Sequence, residues 1–239
     1  MSFRPPLAAA TLLAALAVVP ARATLLQPLI GADGELSSSW EDGRLPKQRL
    51  PATRFGIAEL GGQRALRIEA DGSYGNLVHR LRTDAFALML SWRWRVERFV
   101  AQSNLRRKEG DDNAVKVCMF FELPLADVPF VERQLLRLAR SRSGEELPSA
   151  TVCYVWDRLL PAGTALDNPY SRRVRYLVLQ SGGAGRWASE RRDVGADFLR
   201  LFGDEAEQVP PVVGVAVGAD ADNTRGHGLA AVADLVLDR

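Results

Sequence analysis

Histidine is nearly missing from this chain: His79 and His227 are its two imidazoles in 239 residues. That shortage excludes a metal site built from three histidines. Neither histidine stands in a catalytic motif, so Ser-His-Asp chemistry has no sequence support. Absent too are the Gly-x-Ser-x-Gly elbow, the Gly-x-x-x-x-Gly-Lys-Ser/Thr loop, His-Glu-x-x-His and Cys-x-x-Cys. The nearest approach to a dinucleotide loop, Gly183-Ala184-Gly185, runs into Trp187 and Ser189 without a spaced third glycine and reads as a turn. No period of 20–50 residues repeats, which argues against a propeller or solenoid. The longest uncharged apolar run, Leu7–Val19, is shorter than the roughly 20 residues a membrane span needs.

That run has another reading. Arg4 precedes it and Ala21-Arg22-Ala23 follows it, the pattern of a secretory signal with a small-x-small cleavage site. Residues 1–23 are therefore expected to be removed, leaving one domain over 24–239 with no stable membrane insertion. Cleavage takes away Arg4 and Arg22, so the 31 basic residues fall to the number of acidic ones, 29. The neutral balance lacks the basic excess of a phosphate-binding surface, so a nucleic-acid partner is not expected. The expected location is periplasmic or secreted.

Export changes what the two cysteines can do. Cys118 lies in Ala114–Phe121 and Cys153 in Thr151–Trp156, both strand-like. As neighbours in a sheet they form a disulfide closing about 36 residues, worth roughly 4 kcal/mol in the chain-entropy model. Otherwise they are two buried free thiols.

What the chain does have is a period of two. Leu88, Leu90, Trp92, Trp94 and Val96 share one face, and Ser91, Arg93 and Arg95 the other. Leu66, Ile68 and Ala70 alternate with Arg67 and Glu69, and Val174, Tyr176 and Val178 with Arg173 and Arg175. Further strand-like runs are Asn76–Leu81, Val212–Val217 and Leu229–Leu237, with Gly, Pro, Asn and Asp between them. The fold expected is mainly β, a jelly-roll-like antiparallel β-sandwich with one inserted helix. That helix, Asp127–Arg142, carries Val131, Leu135 and Leu138 in one row and Arg133, Arg137 and Arg140 in another. It reads as a surface helix with its charges in water, or as a basic amphipathic helix that touches an anionic membrane.

Two acidic turns are the main chemical feature. Asp111-Asp112-Asn113 precedes a strand, and Asp220-Ala221-Asp222-Asn223-Thr224 follows one. Hard oxygens at that spacing suit Ca²⁺, and equally suit turns in which Asp and Asn hydrogen-bond their own backbone. An EF-hand is excluded because its twelfth position is Ala231, not Glu. Calcium is the one cofactor considered. Of the aromatics, Trp92 and Trp94 share the apolar face and are expected in the core. Trp156, Tyr170 and Trp187, near strand ends, are candidates to stack on a ligand, with Glu190 and Arg191 as a paired-charge wall.

These pieces occur in a recognisable order: Trp92-Arg93-Trp94-Arg95-Val96, Gly110-Asp111-Asp112, Tyr154-Val155-Trp156, Asn168-Pro169-Tyr170, Trp187-x-x-Glu190-Arg191 with Asp193-Val194, and Asp220-x-Asp222-Asn223-Thr224. The set resembles the secreted bacterial family called domain of unknown function 3047, over roughly residues 36–237. The resemblance implies export and a β-rich fold, and implies no reaction. Lys116, where Arg is usual, Asp193, where Asn is usual, and a long segment 123–147 depart from its pattern.

The function expected is binding of a glycan or other polyol without transforming it. Asp111, Asp112, Asp220, Asp222 and Asn223 would accept hydrogen bonds or hold a cation, and no residue is assigned a catalytic role. Two alternatives remain. One is a glycan hydrolase or lyase using carboxylates such as Asp112 or Glu190, although the Glu-x-Asp-x-x-Glu strand of sandwich glycosidases is absent. The other is an envelope-assembly partner.

Overall fold

The computed structural model describes residues 24–43, 48–144 and 146–239. The signal-like segment 1–23 lies outside the described residues. The alternating runs form strands wherever one face is apolar. Seven of them make one sheet: β1 (Glu41–Gly43), β4 (Tyr74–Thr83), β6 (Asn113–Phe121), β7 (Ala150–Asp157), β8 (Ala165–Asp167), β9 (Val174–Ser181) and β11 (Val212–Asp220). Their order across the sheet is β1-β4-β11-β6-β7-β9-β8. The other five are β2 (Arg54–Leu60), β3 (Gln63–Asp71), β5 (Met89–Arg98), β10 (Trp187–Asp193) and β12 (His227–Asp238), in the order β10-β5-β12-β3-β2. All pairings are antiparallel except β7 with β9. Two sheets packed face to face give the expected β-sandwich.

The core lies between them. Trp92 and Trp94 are fully buried and meet edge-on, centroids 5.3 Å apart. Tyr154 packs against Trp92 at 5.2 Å, and Trp156 against Trp94 at 5.7 Å. The chain crosses between sheets at glycine-bearing corners such as Asp71-Gly72-Ser73, where Gly72 has φ +53°, a value that costs glycine little.

Among the described residues there are two α-helices, not one. The expected helix is α1 (Phe130–Ser143), which joins β6 to β7, with Pro129 at its N-cap and Gly144, in the left-handed region, at its C-cap. The second, α2 (Val194–Phe202), follows β10 directly and is capped by Asp193, whose side chain accepts from the Ala196 amide. It buries Val194, Phe198, Leu201 and Phe202 at one end of the sandwich. Among the described residues, no helix is long and apolar enough to cross a membrane.

Candidate functional site

The outer face of the seven-stranded sheet is not left to water. Its central strands place side chains in three parallel rows, set by register. The first is Asn76, Gly218, Lys116, Val155 and Val178. The second is Val78, Ala216, Cys118, Cys153 and Tyr176, and the third Arg80, Gly214, Phe120, Thr151 and Val174. Cys118 and Cys153 lie directly opposite on β6 and β7 and are joined as a disulfide. The loops bearing Asp111 and Asn223 stand beyond the first row and α1 beyond the third, and from the segment before β9 the side chains of Asn168 and Tyr170 reach Asp111 and Asn223. Between them runs a cleft of ≈ 1120 Å³.

The two acidic turns meet at its loop end. The Asn113 amide donates to Asp220 Oδ1 at 2.9 Å. The amides of Asn223 and Thr224 donate to Asp112 at 3.1 and 2.8 Å, and the Thr224 hydroxyl at 2.6 Å. Asp112 is wholly buried and outside the lining of the cleft. It ties one turn to the other and is not placed to touch a ligand. Asp111, Asp220, Asp222 and Asn223 do line the cleft, and so does Tyr170.

Electrostatics at this end follow from burial. Asp111 is 5% exposed and accepts from the Tyr176 hydroxyl at 2.9 Å and from Asn168 Nδ2 at 2.6 Å. Burial, with the charge of Asp220, outweighs those bonds and pushes its carboxyl up to about 6. Lys116 is buried and donates to Asp220 Oδ2 at 2.7 Å, with its ammonium 5.1 Å from the centre of the Tyr74 ring. Burial alone would lower Lys116; the carboxylate of Asp220 and the neighbouring Tyr74 and Asp111 outweigh it and hold Lys116 above its ordinary value. Burial also raises Asp220, against the ammonium, and raises the half-buried Asp222. The Tyr170 ring is 57% exposed, with its hydroxyl 2.6 Å from Asn223 Oδ1. Among the described residues, no three His, Cys, Asp or Glu side chains are grouped to hold a metal ion. Asp112 accepts from backbone and hydroxyl donors, and Asp220 faces the ammonium of Lys116.

Four expected site residues lie elsewhere. Trp156 is 1% exposed and donates to the Gly182 carbonyl at 2.7 Å, which leaves no ring face for a ligand. It is a core residue because its side chain points into the space between the sheets, against Trp94. Trp187 is on β10, at the edge of the other sheet, with the Arg93 guanidinium 5.2 Å from its ring. Glu190 accepts from Trp94 Nε1 at 3.1 Å and from Gln180 at 2.7 Å. Arg191 donates to the Ser91 hydroxyl at 3.0 Å. Successive strand residues point to opposite faces, so Glu190 and Arg191 form no common wall. Conversely, Lys116, Tyr176 and Asn168 belong to the site. The lone lysine in the apolar run Ala114–Phe121 is a signal that marks the first of them.

A family model described as "Protein of unknown function (DUF3047)" matches residues 38–236. The chain belongs to the DUF3047 family. A comparison with curated proteins finds no match in sequence for this DUF3047 chain. Among solved structures it is similar in form to endoglucanase 3 of Trichoderma harzianum, from glycoside hydrolase family 12, at 8% identity and TM-score 0.40, over 85% of this chain and 99% of that one. The Cel12A catalytic domain of Humicola grisea gives 11% identity and TM-score 0.43, over 89% and 98%. The family 11 xylanase of Neocallimastix patriciarum gives 12% and 0.37, over 87% and 97%. Scores this low carry no argument about the chemistry of the DUF3047 chain.

Proposed function

We propose that this DUF3047 protein is an exported, periplasmic or secreted, binding protein whose cleft takes a hydroxyl-rich ligand, a glycan or other polyol, without transforming it. One observation carries the reading: a buried Lys116–Asp220 pair and the Asp111 carboxyl, fixed side by side at one end of a large open cleft, next to the exposed ring of Tyr170. Such groups orient hydroxyls by donating and accepting from fixed positions, and a flat ring covers the apolar face of a sugar. Calorimetric titration with oligosaccharides and linear polyols tests it. Tyr170→Ala, at an exposed position, is expected to weaken binding about tenfold, within the range for a lost ring contact, with an unchanged melting curve as the control for folding. Undiminished affinity in that variant would remove the Tyr170 end of the cleft as the site for these ligands.

A second reading, glycan hydrolysis or elimination, is favoured by one observation: the Asp111 carboxyl is pushed up to about 6, the range of a general acid near neutral pH. Release of reducing ends or unsaturated ends from a polysaccharide, lost in Asp111→Asn with folding intact, would establish it over simple binding.

A further inference from the structure

The cleft changes character along its length. Its loop end has the Lys116–Asp220 pair, Asp111, Asn168 and Tyr176. Two residues further down β6 the floor is the Cys118–Cys153 disulfide flanked by Val78 and Ala216, and two further again it is Phe120. From Lys116 to Phe120 is about 13 Å at the usual strand rise. Beyond Phe120 the lining holds the α1 face of Leu135, Leu136 and Ala139, with Glu132, Glu146, Ser149 and Arg173 beside it. Over this second half, the Thr151 hydroxyl is the one polar group on the middle strands. The cations at the far end are committed: Arg82 is ion-paired with Glu122, Arg80 with Glu41, and Arg173 with Glu205 and Glu132, while Arg140 donates to the Leu147 carbonyl at 2.6 and 2.9 Å.

A polysaccharide laid along the whole cleft would bring ring hydroxyls against the disulfide and Phe120, where they lose water and gain almost no partner. An alkyl chain there loses nothing polar and gains burial. The apolar surface also continues out of the cleft, since Leu135 is 56% exposed and Leu138 and Val131, one turn to either side on α1, are 46% and 66% exposed. We infer that the ligand is a single-chain amphiphile, with a hydroxyl-bearing head at the Asp111–Lys116–Asp220 end and its alkyl tail over the disulfide and Phe120 toward α1. This rests on the binding reading above and adds the tail.

The test is a chain-length series below the critical micelle concentration: 1-alkyl glycerols and n-alkyl glucosides with one, six and eight carbons, titrated by calorimetry. Affinity is expected to rise about three- to fourfold per added methylene buried, with either head. Leu135→Asp, at an exposed position, is expected to bring the octyl compounds down toward the methyl ones. An affinity independent of chain length, or no binding of either octyl compound, overturns the tail. If oligosaccharides then still bind in a Tyr170-dependent way, the binding reading stands without it. If octyl compounds bind with the same affinity in wild type and Tyr170→Ala, the tail is upheld and the polar head site falls.

Discussion

Asp111 is enclosed by Tyr176 and Asn168, which donate to it, and by Asp220 and Lys116, whose charges act on it in opposite senses. Its carboxyl therefore holds a proton in the folded protein up to about pH 6, whereas in the unfolded chain it loses that proton near its ordinary value of 3.8. A raised folded value means stability that is complete below about pH 4 and lost as pH climbs through 6. Burial lowers His79, which pulls the other way, adding stability as pH rises toward 6.5. The Asp111 share thus shows as a difference. Asp111→Asn is expected to gain melting temperature over wild type between pH 4.5 and 7.5, by an amount that grows with pH and corresponds to about 3 kcal/mol at the top of that range. A gap that does not change with pH would contradict the burial argument. Little of this was legible in sequence. The pair of turns was, because Asp and Asn at strand ends are read directly. Lys116, Tyr176 and Asn168 come to Asp111 and Asp220 through strand register, which one sequence does not state.

At the scale of elements, period two found nearly every long strand, and the register placed Cys118 against Cys153 as a cross-strand bridge in the cleft floor. Replacing both by alanine is expected to cost roughly 4 kcal/mol in urea unfolding, the entropy of a closed loop of about 36 residues. A loss below about 1 kcal/mol would mean that packing of β6 on β7 fixes this region without the bond. The helix α2 escaped notice although its signals were present: Asp193 as cap, then Val194, Phe198, Leu201 and Phe202 at helical spacing. A run of only nine residues after a strand gives a weak periodic signal, and its stability comes from filling the end of the sandwich. Trp156 misled for a related reason. Position near a strand end predicts exposure, but Trp156 follows Val155 and points, like Tyr154, to the inner face of β7, against Trp94 of the other sheet.

For the whole molecule, the two faces of the sandwich divide the work. The main core holds four of the five tryptophans, Trp40, Trp92, Trp94 and Trp156, and supplies most of the apolar burial. The outer face of the five-stranded sheet packs Ala65, Ala231 and Ala233 beneath neighbouring side chains, with Trp187 beside them. The outer face of the seven-stranded sheet alone carries the cleft described here. Sequence patterning sets the inner faces, because alternation marks one buried side; which outer face becomes concave depends on α1 and the long loops that fold over it. Methyl-labelled NMR with the oligosaccharides and alkyl polyols titrated in distinguishes the two outer faces directly. The account predicts shifts at Val78, Val174 and Ala216, on the cleft floor, and none at Ala231 and Ala233. Shifts confined to those two alanines, or no shift at the cleft with any of these ligands, would contradict it.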